Sequence, residues 1–167
     1  MIRKTRASMI RLAGVVSGLA LCAAIAASSP IPGDKKEESQ VKFTATATPI
    51  KDGKQTVTIK MTINSGYYAY ANPVKNETLE PAQTVVKITS AQKLEDVKVN
   101  YPEKQSKTKT TGAESYQIYE GTVEITADVT RAAGDTGPLE ATVKFSVCNV
   151  KGFCLPPETV KLKVEQK

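Results

Sequence analysis

The chain of 167 residues has no histidine and no tryptophan, and only 3 Cys and 3 Met. Without histidine there is no imidazole general base, no Ser-His-Asp triad and no His-ligated zinc. Three cysteines cannot complete a four-thiolate zinc site, and three methionines argue against a thioether copper carrier. The residues therefore point to no metal and no cofactor. No stretch of ten residues carries a helical repeat, and no internal repeat is found. Carboxylate chemistry, cysteine chemistry and binding without chemistry remain.

The carboxylates give little. Glu95 and Asp96 lie beside strand patterns and read as solvated, whereas a glycosidase needs two carboxyls facing one cleft. Asn76-Glu77-Thr78 matches a glycosylation sequon, a pattern common by chance. The net charge of +6 is concentrated at one end: Arg3, Lys4, Arg6 and Arg11 fall in the first 26 residues, which hold no acid. The other 19 basic residues face 17 acids, a balance of about +2. Lacking a basic stripe with interleaved aromatics, the chain is not expected to bind nucleic acid.

The first 26 residues read as a signal peptide. A basic Arg3-Lys4-Thr5-Arg6 precedes an apolar run of 16 residues, Leu12 to Ala27, which is short for a membrane span. Ala24-Ile25-Ala26 supplies a small-x-small pattern, so cleavage is expected near Ala26. Retention as an uncleaved anchor and lipidation at Cys22, which would make a lipoprotein, are the alternatives. They are also the only routes by which the chain would meet a membrane. Either way the remainder is exported to a compartment where disulfides persist. Residues 27–40, polar and proline-containing, read as a flexible linker.

From residue 41 to 167 the pattern has period two. Val57, Ile59, Met61 and Ile63 alternate with Thr56, Thr58, Lys60 and Thr62, as in a half-buried strand. The same holds at Val97–Tyr101, Val123–Val129, Ala141–Val147 and Val160–Val164, and further strands are expected near Val41–Thr48, Tyr67–Ala71, Thr84–Ile88 and Tyr116–Tyr119. Turn residues separate them, among them Lys51-Asp52-Gly53-Lys54, Asn64-Ser65-Gly66 and Gly134-Asp135-Thr136-Gly137-Pro138. Eight or nine short strands predict an all-β fold, an immunoglobulin-like antiparallel β-sandwich. That fold alone says little about function.

Cys148 and Cys154 carry the chemical information. They enclose five residues and are followed by Pro156-Pro157, which lack the N–H needed to continue a ladder. Thr142, Lys144, Ser146 and Cys148 share one strand face, so Cys148 is expected on the solvent or partner face and not in the core. The two thiols would lie across the mouth of a hairpin, within reach of a bridge. Such a bridge in an exported domain is commonly inert. Closing a seven-residue loop, however, contributes only about 2.4 kcal/mol, a weak staple for a domain able to build its own core. An exposed strand end with Lys151 in the loop also suits a reactive thiolate.

Cys148 to Glu158 (CNVKGFCLPPE) resembles the N-terminal periplasmic domain of the thiol:disulfide interchange protein DsbD. Gly66-Tyr67-Tyr68-Ala69-Tyr70 is similar to that family's Gly-aromatic-Tyr-x-Tyr strand, and Tyr116 to Thr122 to the stretch after its cap loop. The likeness spans roughly residues 40–166. It implies an immunoglobulin-like sandwich in the periplasm, which passes reducing equivalents to thioredoxin-fold partners with no cofactor. Cys154 would attack the partner disulfide and Cys148 would resolve the mixed disulfide. Tyr68 and Tyr70 would pack beside the pair, though plain strand core is an equal reading of them. Phe153, Lys109 and Thr110 would contribute partner contact or shielding. The family's cap loop carries an acidic pair and a Phe; here the corresponding stretch is Lys107-Thr108-Lys109-Thr110-Thr111-Gly112, with Glu114 as the nearest acid. The electron donor would be a separate DsbD-like membrane protein. Against this thiol–disulfide oxidoreductase stands a different class: a non-catalytic exported β-sandwich, a binding or envelope module with an inert disulfide.

Overall fold

The computed structural model describes residues 39–167. The expected signal peptide, Cys22 and the linker up to residue 38 lie outside the described residues. The first six strands are β1 (Val41–Ala47), β2 (Lys54–Ile63), β3 (Tyr67–Tyr70), β4 (Val85–Ser90), β5 (Asp96–Asn100) and β6 (Lys107–Thr111). They are followed by β7 (Glu114–Tyr119), β8 (Thr122–Thr130), β9 (Leu139–Phe145), β10 (Val147–Asn149), β11 (Glu158–Lys163) and β12 (Glu165–Gln166). Two 3-10 turns, Glu77–Ala82 and Glu103–Gln105, are the helical elements among the described residues.

Five strands form one sheet in the order β12-β1-β2-β8-β5. The others form a four-stranded sheet, β10-β3-β7-β6, and a three-stranded sheet, β11-β9-β4. The ladders are antiparallel except the short contact of β12 with β1. This is the immunoglobulin-like antiparallel β-sandwich that the strand pattern predicts. The Lys51–Lys54 turn closes the first hairpin with reciprocal backbone bonds of 2.9 Å. Both of its central residues, Asp52 and Gly53, have positive φ, which matches the strand twist of a two-residue hairpin.

The main core lies between the sheets. Val57, Ile59 and Met61 of β2 sit opposite Ala127, Ile125 and Val123 of β8. They pack with Val86, Ile88, Ala141, Val143, Phe145 and Val147. Full burial of each such Val or Ile side chain contributes about 1.5–3 kcal/mol. Tyr119, wholly buried, donates its hydroxyl to the Asn72 carbonyl at 3.1 Å, and burial pushes that phenol up to about 12.

A second, smaller core forms where the chain changes sheets. β9 pairs with β4 and β11, whereas β10 pairs with β3, and Ser146 sits between them. Val147 faces the main core and Cys148 the opposite side, as alternation requires. That side is not solvent. Cys148 is 0% exposed, enclosed with Tyr68, Tyr70, Val74, Tyr116 and Ile118. The expectation of an exposed Cys148 is therefore corrected: strand parity gives the face, but other strands roof it over.

One polar cluster had no forewarning in the sequence. Arg131 and Asp135, both buried, pair at 3.0 Å (Nη1 to Oδ2). The Arg131 Nε–H also donates to Gln55 Oε1, and Asp135 Oδ1 accepts the Gly137 N–H at 2.9 Å. Removing one partner of a buried pair leaves the other charge uncompensated. Asp135→Ala should lower stability by about 3–5 kcal/mol in urea unfolding, while Arg131→Met/Asp135→Leu should recover much of that loss. A single-variant loss within about 0.5 kcal/mol, the range of ordinary surface changes, would show that the pair is not held as described.

Candidate functional site

Cys148 lies on β10 directly across from Tyr68 of β3. On its other side it forms an isolated antiparallel bridge with Cys154. The flanking backbone bonds, Leu155 N–H to Val147 O and Asn149 N–H to Phe153 O, are both 2.8 Å. The cysteines thus occupy a non-hydrogen-bonded pair, where facing residues come closest. Their Cα atoms are 3.9 Å apart and their sulfurs are joined in a disulfide.

Asn149 shapes the loop between them. Its Oδ1 accepts the N–H groups of Lys151 and Phe153, each at 3.0 Å, and its carbonyl accepts the Gly152 N–H at 3.0 Å. Gly152 takes φ +93°, a backbone conformation open to glycine without Cβ strain. An Asn followed by a turn glycine is the sequence signal for such a side-chain-closed turn, and it was missed. The loop projects Val150 and Phe153 into solvent, 57% and 73% exposed. Cys154 is exposed as well.

The two sulfurs differ because the aromatic roof ends between them. Tyr68 and Tyr70 project from β3 to the Cys148 side, while the intervening Ala69 faces the main core. Their rings meet edge to face at 5.9 Å, and Tyr70 lies 5.6 Å from Tyr116 of β7. Val74, Ile118, Leu79 and Ala82 complete the enclosure. Cys148 is one strand away from β3 and is covered; Cys154 is one strand further and is not.

The Tyr70 hydroxyl stands 3.5 Å from Cys148 Sγ and 3.9 Å from Cys154 Sγ. A disulfide sulfur carries no proton, so the phenol is the donor to both. Burial, with the Tyr116 phenol adding to it, raises Tyr68 and Tyr70 above the ordinary tyrosine range. Both therefore stay protonated at neutral pH, and Tyr70 keeps the proton it aims at the sulfurs.

The stretch equated with a cap loop is not a loop. It is strand β6, paired along its length with β7. Its Lys109 holds Nζ 4.9 Å from the centre of the Tyr68 ring. The structure therefore gathers Cys148, Cys154, Tyr68, Tyr70 and Lys109, with Phe153 beside Cys154. Thr110 is not gathered: it alternates to the other side of β6, and its hydroxyl is 3.0 Å from that of Ser115. Glu114 is exposed and takes a 3.4 Å bond from Asn76 Nδ2. Tyr116, Val74 and Ile118 belong to the site although sequence reasoning assigned them no part in it. Among the described residues no group of three or more His, Cys, Asp or Glu could hold a metal, and no helix is long and apolar enough to cross a membrane.

An immunoglobulin-like sandwich with a short-loop disulfide, one sulfur roofed by tyrosines and the other open, defines the class of protein. The chain belongs to the family described as thiol:disulfide interchange protein DsbD, N-terminal, which matches residues 35–166. Among solved structures it is similar to the N-terminal periplasmic domain of ScsB from Proteus mirabilis, with 16% identity and a TM-score of 0.56. That match covers 76% of this chain and 47% of the other, so the chain spans about half the length of that relative. It is also similar to the Neisseria meningitidis DsbD N-terminal domain in the reduced form, at 19% identity, 74% and 84% coverage and a TM-score of 0.44. A third is the complex between the DsbD N-terminal and PilB N-terminal domains of Neisseria meningitidis, at 17% identity, 80% and 86% coverage and a TM-score of 0.47. At these identities the structures speak to the fold alone. No curated protein sequence matches the chain.

Asn149→Ala deletes the acceptor of two loop N–H groups and should cost about 1 kcal/mol of stability in the oxidised domain. Amide exchange at Lys151 and Phe153 should accelerate at least several-fold, and Asn149→Asp should largely preserve the protection. Unchanged exchange at both amides would count against the side-chain clamp.

Proposed function

We propose that this domain is a periplasmic thiol–disulfide exchange module that passes reducing equivalents to thioredoxin-fold proteins through Cys148 and Cys154. The observation that carries the reading is the asymmetry of the disulfide: Cys154 is open to an incoming protein, and Cys148 is fully enclosed. Membership of the DsbD N-terminal family supports it.

In the reduced domain, the Cys154 thiolate attacks one sulfur of the partner disulfide. A mixed disulfide forms, and the other partner sulfur leaves as a thiolate and takes up a proton. Cys148, reachable only from within the domain, then attacks Cys154 Sγ as its thiolate. The intramolecular disulfide forms, the mixed disulfide breaks, and the second partner sulfur leaves and is protonated. Two electrons have passed, the pair is oxidised and the partner reduced. The Tyr70 hydroxyl, in reach of both sulfurs, donates a hydrogen bond to whichever of them carries negative charge. A membrane-bound dithiol donor restores the reduced pair by the reverse exchange. Phe153, apolar and exposed beside Cys154, supplies with the exposed Val150 of the same loop the surface on which a partner docks.

Cys148→Ser should accumulate mixed disulfides through Cys154 when mixed with an oxidised thioredoxin-fold protein, and Cys154→Ser should accumulate none. The oxidised wild-type domain should equilibrate with glutathione or thioredoxin buffers. A reduction potential well below about −300 mV, together with no trapped adduct, would make the bond an inert staple of a binding or envelope module.

A further inference from the structure

We propose that Lys109 is a positioning residue for the exchange, a cation fixed on the aromatic roof that favours the thiolate form of the reduced Cys148/Cys154 pair. The inference rests on the exchange reading above and deepens it.

β6 is an edge strand of Lys and Thr whose residues are exposed, with one exception. Lys109 is half-buried, because its side chain folds over Tyr68 and brings Nζ 4.9 Å from the ring centre. That is within cation–π range, and the partly desolvated face of a tyrosine holds an ammonium more firmly than water-exposed rings do. Tyr68 is the residue directly opposite Cys148 in the ladder. Its ring meets Tyr70, whose hydroxyl touches both sulfurs. Two ring contacts therefore connect the ammonium to the disulfide.

The charges around the pair leave this one in a special place. β3 contributes Tyr68 and Tyr70 and β7 contributes Tyr116; Tyr68 and Tyr70, both raised by burial, stay neutral at physiological pH. The segment after β3 adds the apolar Val74, Leu79 and Ala82, while the two acids of its 3-10 turn, Glu77 and Glu80, are exposed. The disulfide loop adds Lys151, exposed, and the β6–β7 hairpin adds Glu114, exposed and bonded to Asn76. Lys107 is matched by Glu120 at 2.8 Å and Lys75 by Glu103 at 3.2 Å. Lys109 instead sets its charge against the aromatic ring. A cation near a thiol stabilises its ionised form, and low-polarity surroundings strengthen the effect, while partial exposure makes it sensitive to salt. More thiolate speeds attack on a partner disulfide. It also stabilises the reduced pair relative to the disulfide.

Lys109→Met keeps the stem over Tyr68 and removes the charge; Lys109→Arg keeps the charge. The readout is the pH profile of alkylation of the reduced domain by iodoacetamide, at low and at high salt, with urea unfolding as a check on folding. Lys109→Met should raise the apparent pKa of the coupled pair by about half a unit and lose most of the salt dependence. At a pH above that pKa, its equilibrium with glutathione should move toward the disulfide about threefold. Lys109→Arg should behave as wild type. A Lys109→Met profile that superimposes on wild type would overturn the proposal. So would equal loss in both variants, which would mark a packing role. The alkylation profile is readable whether or not the domain reduces a partner. A failed Cys148→Ser trap therefore strikes the exchange reading, whereas an unshifted profile beside an intact trap strikes Lys109 alone.

Discussion

Cys148 and Cys154 face each other in a narrow antiparallel pair at the rim of a sheet, and the properties of the site follow from that placement. Facing residues of a ladder direct their side chains to the same side, so both sulfurs point toward the tyrosines. The roof, however, is built from β3 and β7 and extends only as far as the neighbouring strand. One sulfur is enclosed, the other is at the surface, and no loop needs to move for that difference to exist. Asn149 fixes the turn that joins them, and Pro156-Pro157 stop the second half of the pair from recruiting another strand.

The same placement separates stability from reactivity. The main core fills the space on the Val147 side of β10, and the disulfide lies on the other side. Closing its short loop contributes about 2.4 kcal/mol, comparable with the burial of a single valine or isoleucine. The scaffold is therefore held by the β2–β8 register, the packed inner faces and the Arg131–Asp135 pair, none of which involves sulfur. Opening the bond removes one modest constraint from a domain that does not rest on it.

Much of this architecture was legible from residue pattern. β2, β8 and β9 alternate so cleanly that their buried faces follow from the sequence, and Asp-Gly marked the first hairpin turn. The failures have physical causes. β6 reads Lys-Thr-Lys-Thr-Thr, with no apolar residue to alternate, so its pairing with β7 leaves no periodic trace. Cys148 was given the correct face and the wrong environment, because tyrosines some eighty and thirty residues away in the chain supply its cover. Asp135 sits in what reads as a Gly-Asp turn while Arg131 precedes it, and the closeness of Gln55 to Arg131 is set by the pairing of β2 with β8. Parity is local information; what covers a face is not.

The β6–β7 hairpin also bears on how the proposed exchange would be controlled. The resemblance to the family implies a cap of acidic and aromatic residues, and this chain has Lys and Thr instead. A lysine laid on Tyr68 leaves Cys154 uncovered, so this hairpin does not protect the pair by bulk. Access at the sheet rim and charge over the roof are supplied by different strands, β10 with its loop for the first and β6 for the second. Disulfide exchange needs both, since a reachable thiol that stays protonated attacks slowly and a thiolate that cannot be reached does not attack at all. Because the two come from separate elements, the proposed role of residue 109 lets the ionisation of the pair change while the surface proposed to meet a partner, Phe153 and Cys154, stays as it is.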